Sequence, residues 1–308
     1  MTCGICSGRL HFRYPGEAPA TGSDAFAPSC HAVSGHGDLY ACERCGTVQQ
    51  PDLPSGPELH DLYRDMRDDA YLGEEAGRRR TSGRMLDAIE RHTVRGRMLE
   101  VGCGHGLLLD EARRRGWEVA GLELADASRA HARDALGLEV SSATLDELDP
   151  ERDGGLQAIV LSDVLEHLDQ PVAALGQIAS LLATGGVALI VTPDPASRTA
   201  RLAGPRWWGY LRSHTYLIPH ATLRGLLRSA GLEPVEEKHL WRTFSFGYWV
   251  AGLGERSGPL AQALGAVRRL GVAQRPLTFS LGDERVVVAR RGATGAHPRG
   301  ARGSAGAG

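Results

Sequence analysis

The sequence predicts an α/β chain, a doubly wound open sheet preceded by a small cysteine-built ribbon. Three observations predict it. Leu99-Glu100-Val101-Gly102-Cys103-Gly104-His105-Gly106 reads as a buried strand that enters a glycine turn and opens a helix. Apolar strands follow at Trp117–Leu122, Leu156–Asp163 and Val187–Val191, separated by helical spacing, the alternation that builds a parallel sheet. Two Cys-x2-Cys pairs, Cys3/Cys6 and Cys42/Cys45, stand ahead of all of it.

Composition sets the bounds. A chain of 308 residues with 42% hydrophobic side chains has room for one large domain or two and a sizeable core. A net charge of −2 gives no general attraction to nucleic acid. No apolar run reaches the length of a membrane span. The opening Met1-Thr2-Cys3 has no secretory leader, so the expected compartment is the cytoplasm, where cysteines serve as metal ligands or buried thiols rather than disulfides.

In chain order, residues 1–50 are expected to form the ribbon, with strands at Gly8–Tyr14 and Gly37–Ala41. Cys3, Cys6, Cys42 and Cys45 supply four thiolates, the tetrahedral set of a structural zinc ion. The 35 residues between the knuckles exceed the usual spacing, and Cys30, His31 and His36 inside that loop are alternative ligands. Residues 51–94 form a linker and helical lead: Pro51–Pro57 is proline-rich, and Glu58 to Arg91 has a charged helical pattern carrying Tyr63 and Tyr71. Residues 95–291 hold the main domain. Residues 292–308, glycine-rich and without large apolar side chains, are expected to be a disordered tail.

The glycine turn is not a dinucleotide fingerprint, because the third glycine of G-x-G-x-x-G falls on Leu107. The spacing is E-x-G-x-G-x-G. The next strand ends at Glu123, 21 residues past Gly102, where an acid can accept hydrogen bonds from both hydroxyls of a ribose. Val164-Leu165-Glu166-His167-Leu168 then follows the strand ending in Ser162-Asp163. Pro171 starts a helix, Gly185-Gly186 is expected to end it, and Val187–Val191 is buried.

In this order and spacing, residues 97–192 resemble the class I S-adenosylmethionine-dependent methyltransferases. The resemblance implies a Rossmann-like, doubly wound, seven-stranded sheet with S-adenosylmethionine as methyl donor. Leu39–Val48, Pro51 and Pro54, Leu62-Tyr63, Arg206-Trp207-Trp208, His214-Thr215-Tyr216 and Leu226–Gly231 are similar to bacterial members that carry a zinc ribbon ahead of the catalytic domain. Such members mostly methylate small molecules, among them sugars, glycans and natural-product scaffolds.

Roles follow for single residues. Gly102, Gly104 and Gly106 are expected to shape the bed for the methionine part of the donor, and Glu100 to anchor that region through hydrogen bonds, with water as the link to the amino group. Glu123 is expected to hold the ribose and Leu124 to contact adenine, with Leu145 and Asp146 along the adenine edge. Ser162 and Asp163 sit at the carboxyl end of a central strand, where ligands bind in open α/β sheets. Cys103 reads as a small spacer. An acceptor hydroxyl needs its proton removed, and His167 and His214 are the candidate bases, with His105 expected to face solvent or the donor's carboxylate. Trp207, Trp208, Tyr210, Tyr216, Trp241, Phe244, Phe246, Tyr248 and Trp249 crowd one segment and suit a flat or sugar-like acceptor. Oxygen and carbon are the expected accepting atoms. Alternatives are an RNA methyltransferase, disfavoured by eight Lys/Arg against twelve Asp/Glu in residues 1–80, and a non-catalytic donor-binding module. The sequence carries no sign of oligomeric state.

Overall fold

A computed structural model of the chain describes residues 1–16, 35–68, 71–254 and 272–292. Strands β1 (Leu10–Tyr14), β2 (Leu39–Cys42) and β3 (Val48–Gln49) build the ribbon as an antiparallel sheet. The charged lead is two helices rather than one: α1 (Pro57–Arg64) and α2 (Glu75–Glu90), parted by a turn that ends in a 3-10 segment, Tyr71–Glu74.

Then come β4 (Arg97–Val101), α3 (Leu107–Arg114), β5 (Glu118–Leu122), α4 (Asp126–Asp134), β6 (Val140–Ser141), α5 (Pro150–Asp153), β7 (Leu156–Ser162), α6 (Pro171–Leu181) and β8 (Leu182–Pro193). The chain continues through α7 (Arg198–Ala203), β9 (Tyr216–Leu217), α8 (His220–Ser229), β10 (Leu232–His239), β11 (Arg242–Ser245), α9 (Phe246–Gly254), β12 (Pro276–Phe279) and β13 (Glu284–Arg291). No helix among the described residues is long and apolar enough to cross a membrane. Residues 293–308 of the expected tail fall outside the described residues.

The main sheet has seven strands in the order β10-β13-β8-β7-β4-β5-β6. The five from β8 to β6 are parallel, and β13 lies antiparallel between β8 and β10. This is the Rossmann-like seven-stranded architecture. Both faces are covered, which is why β7 and β8 read as unbroken apolar runs. Leu99, Ile159, Leu161 and Ile190 pack toward α6 and α8 with Leu175, Ile178, Leu223 and Leu227. Met98, Val160, Leu189 and Val191 pack toward α2 and α3 with Leu86, Ile89, Leu108 and Trp117.

Two arrangements depart from the sequence reading. The glycines at 185 and 186 do not end α6. That helix stops at Leu181, and Leu182 is already extended at φ −67°, ψ 143°. Gly185, at φ 81°, lies in a bulge where the β7–β8 register slips, and a Cβ on Gly186 would meet the Leu156 carbonyl oxygen at 2.7 Å. The second departure is β9, which pairs Val48 with Leu217 and Gln49 with Tyr216 and so becomes the fourth strand of the ribbon sheet. The ribbon is thus built into the main domain, with Leu39 and Val48 sharing a core with Ala200, Trp207, Tyr210 and Leu217.

Candidate active site

A cavity of about 1280 Å³ opens at the carboxyl ends of β4, β5 and β7. The glycine turn after β4 forms part of its floor. Gly102, Gly104 and Gly106 adopt φ of 65°, 54° and 79°, the left-handed region that side chains resist. A Cβ on Gly104 would project into open space, its nearest neighbour the Tyr71 hydroxyl at 4.0 Å. Gly106 does something else. It lies off the cavity wall, and a Cβ there would meet Leu138 at 2.6 Å and Ala132 at 3.0 Å, so its bareness serves the packing of α4.

Glu123 ends β5 and lines the cavity. Its two oxygens accept from the main-chain N–H of Gly104 and of Ala125, each at 2.7 Å, so it also fixes the shape of the glycine turn. Burial raises its pKa, against the pull of those bonds. Glu100 is also buried on the wall, and its Oε2 has no hydrogen-bond partner. Burial, and then the Glu123 charge, push its carboxyl well above the ordinary range. An orphaned carboxylate oxygen beside an open glycine cradle fits the cationic amino end of S-adenosylmethionine. Leu124, Leu145 and Asp146 line the same cavity beyond Glu123, as do Ser162 and Asp163 at the end of β7.

Asp163 has φ 57°, rare for a residue with a side chain. Arg242 holds it: one guanidinium nitrogen donates to both Asp163 oxygens at 2.7 Å, and the same side chain pairs with Glu284. Arg242 reaches this place because β11 packs closely on α2, where a Cβ on Gly77 would meet the Thr243 carbonyl oxygen at 2.3 Å. Nothing in the sequence singled out Arg242, since its partners lie far away in the chain.

His167 and His214 come together, with ring centroids 4.8 Å apart at 71°. His167 Nδ1–H donates to the Ser213 carbonyl at 2.9 Å, and the Tyr63 hydroxyl lies 2.9 Å from the same nitrogen. His214 Nδ1–H donates to the Gly209 carbonyl at 2.6 Å. Each ring therefore leaves Nε2 as a bare lone pair. Burial holds both below the ordinary imidazole value, His214 at about 3 with His167 as the second cause. Glu166 is also on the wall, and its place inside the Val164–Leu168 motif gives no sign of a role of its own. It is fully buried, its Oε2 accepts from Thr192 Oγ1 at 3.0 Å, and its Oε1 has no partner.

The expected aromatic wall divides. Trp208, Phe244, Phe246, Tyr248 and Trp249 line the cavity with Leu277 and Phe279. Trp207 and Tyr210 belong to the core under the ribbon, Tyr216 packs against Gly4 of the ribbon, and Trp241 is exposed. The lead contributes unexpectedly. Tyr63 and Tyr71 line the cavity, and Arg78 lies over the Tyr71 ring at 3.7 Å. In the run Arg78-Arg79-Arg80, Arg79 pairs with Asp110 and Glu75, so the run is not a free basic face. His105 does not face solvent: it is buried and stacks on Tyr71 at 4.8 Å.

At the ribbon, Cys3, Cys6, Cys42 and Cys45 converge, with Cys3–Cys45 and Cys6–Cys42 sulfurs 3.7 and 3.4 Å apart. Four sulfurs about 2.3 Å from a tetrahedral zinc ion stand about 3.8 Å from each other, so the set fits that ion closely. Among the described residues His36 is elsewhere, donating to its neighbour's carbonyl, and Cys30 and His31 lie outside them. Cys103 is buried against Gly121, the spacer expected.

Residues 74–237, just over half of the chain, match the family model described as a methyltransferase domain. The ubiquinone biosynthesis O-methyltransferase of Cereibacter sphaeroides (strain ATCC 17029) is 31% identical over 186 residues, covering 56% of this chain and 74% of that protein. The Xanthomonas axonopodis pv. citri protein of the same name is 32% identical over 150 residues, and the match spans 44% of this chain and 62% of that protein's length. The crystal structure of the Burkholderia thailandensis 1,6-didemethyltoxoflavin-N1-methyltransferase, with bound 1,6-didemethyltoxoflavin and S-adenosylhomocysteine, shares the fold: TM-score 0.50, 17% identity, 81% of this chain and 96% of that one.

Proposed function

Because the chain belongs to the class I S-adenosylmethionine-dependent methyltransferases, we propose that it transfers the donor's methyl group to an oxygen of a small, flat, largely apolar acceptor. The observation that carries this reading is the pair of bare Nε2 lone pairs of His167 and His214, which share one cavity with the glycine turn. S-adenosylmethionine supplies an activated methyl group on a sulfonium. Gly102 and Gly104 cradle its methionine part, Glu100 meets its amino group, and Glu123 takes the ribose. Leu124, Leu145 and Asp146 border the adenine. Phe244, Phe246, Tyr248 and Trp249 hold the acceptor and keep water out. An Nε2 lone pair of the histidine pair takes the acceptor hydroxyl's proton as its oxygen takes the methyl and the C–S electron pair returns to sulfur. The four-cysteine cluster holds a zinc ion that ties the ribbon together and leaves no open position for chemistry.

Among sugars, glycans and natural-product scaffolds, the aromatic wall favours an aromatic or natural-product scaffold. The name of the Cereibacter and Xanthomonas relatives supports oxygen over carbon. The RNA alternative is weakened by the pairing of Arg79 and by the buried, apolar character of the acceptor side.

The test is transfer from labelled S-adenosylmethionine into phenols with and without apolar substituents, sugar alcohols and amines. Label in phenolic oxygen supports the reading. His167→Gln and His214→Gln each lower turnover by roughly 10²–10⁴-fold with donor affinity kept. Label only in amines, or both variants turning over at the wild-type rate, overturns it.

A further inference from the structure

We propose that Glu166, His167 and His214 form a second metal site, separate from the four-cysteine cluster, that takes a divalent first-row cation and opens on the acceptor cavity. A carboxylate oxygen of Glu166 and one ring nitrogen from each histidine lie within 4.8 Å of one another. Only the final role of the cation rests on the methyltransferase reading; its binding does not.

Three features make this a built site. Glu166 is fully buried, and Thr192 satisfies one of its oxygens while leaving Oε1 without a partner. An unpaired carboxyl oxygen in such a place is costly, and a cation bound there removes the cost. Both imidazoles are then fixed by main-chain carbonyls: His167 donates to Ser213 and His214 to Gly209. Holding Nδ1–H on a carbonyl sets the tautomer and aims a neutral Nε2 outward, the way metal-ligating histidines are oriented. Finally, the neighbouring carboxylates are already taken. Asp163 and Glu284 are both held by Arg242, so this is not a loose acidic cluster.

Two imidazoles and one carboxylate match Zn²⁺ or Co²⁺ rather than Mg²⁺ or Ca²⁺, which prefer oxygen cages. Bonds of about 2.0–2.2 Å place tetrahedral ligand atoms about 3.3–3.6 Å apart, so loading the site draws three side chains inward by small rotations. Three protein ligands leave one position open. All three residues line the acceptor cavity, so that position is where an acceptor hydroxyl arrives. With the cation bound, both Nε2 lone pairs serve as ligands and the cation takes over the activating part given above to the free histidine pair: it lowers the hydroxyl's pKa and the proton passes out of the cavity to solvent.

The experiment counts metal ions in the full chain. After purification without chelator and dialysis against Co²⁺, elemental analysis is expected to give two ions per chain. The absorption spectrum should combine the sulfur-to-cobalt charge transfer of a thiolate site with the weaker d–d bands of a nitrogen–oxygen site. Glu166→Gln should lose the second set and one ion while keeping the thiolate bands and its calorimetric affinity for S-adenosylmethionine. Cys42→Ser with Cys45→Ser should lose the first set only. Saturation of the wild type at one ion, with thiolate bands alone, overturns the proposal, and this measurement needs no variant to fold. Two ions without methyl transfer to any acceptor would leave the metal site standing and sink the proposed reaction. Methyl transfer by a one-ion protein would do the reverse.

Discussion

The side-chain amide of Gln50 donates to the main-chain carbonyls of His214, at 2.7 Å, and of Leu211, at 2.8 Å. Gln50 is buried, its own oxygen accepts from Gly37 N–H at 2.7 Å, and its main-chain N–H donates to the Thr215 carbonyl at 3.3 Å. The loop that presents His214 to the cavity is therefore stitched to the ribbon on both sides of the histidine. A metal-knuckle module and a candidate catalytic side chain share one hydrogen-bonded unit.

Gln50→Ala leaves two buried carbonyls unmet, at a cost of about 1–3 kcal/mol. The expected outcome is a fall in kcat of roughly tenfold or more, because small displacements of a reacting group are expensive. The dissociation constant for S-adenosylmethionine, measured by calorimetry, should stay close to wild type. Gln50→Glu keeps the size but cannot donate from that atom, and should show the same loss. Wild-type kcat in both variants would mean the ribbon does not position His214.

Zinc in the ribbon should matter in the same direction. Cys42→Ser with Cys45→Ser removes two thiolate ligands, and metal analysis should record the loss of one zinc ion. Hydrogen exchange should quicken in β1–β3 and β9, and turnover should drop further than donor affinity does. Protein that holds no zinc when purified without chelator would refute the ribbon site.

Glu123→Ala removes the proposed ribose partner and also releases the Gly104 and Ala125 N–H groups. Hydrogen bonds to a charged group contribute about 1.5–3 kcal/mol, so affinity for S-adenosylmethionine should weaken by roughly tenfold or more. Titration calorimetry giving equal affinity for variant and wild type would remove Glu123 from the donor site.

Glu236 links β10 to the end of α2, accepting from Arg91 at 2.5 and 3.0 Å and from His92 at 2.9 Å, with Lys238 beside it at 2.9 Å. The Arg91 bonds above all lower its pKa from 4.5 to about 2. A folded pKa below the unfolded one stabilises the protein above pH 4.5, and that stability is lost as pH falls from 4.5 through 2. Glu236→Gln should cost about 1 kcal/mol at neutral pH after solvent screening. In urea denaturation, the gap between variant and wild type should close as pH falls across that window. A gap independent of pH would show that the ion pairs are not its source.

What the sequence determined is local. The strand–turn–helix from Leu99 onward set Gly102 and Gly104 in the left-handed region, with Gly104 open to the cavity, and put Glu123 at the next strand end, because a backbone turn and a strand terminus are decided by a few neighbouring residues. The paired cysteines were legible for the same reason, each knuckle being a single turn. What only the tertiary structure decided is pairing across long stretches of chain. Arg242 meets Asp163 across 79 residues, Tyr63 meets His167 across 104, and Gln50 meets His214 across 164. Glu166, His167 and His214 close on one another only because β7 ends where the loop before β9 returns to the ribbon. Gly185-Gly186 looked like a helix stop and became a strand bulge, since the β7 edge, not the local sequence, claimed those residues. Hydrophobic periodicity tells which face of an element is buried. Which distant hydrogen-bonding group arrives at that face is set by how the layers close, and that is where the candidate chemistry of this chain resides.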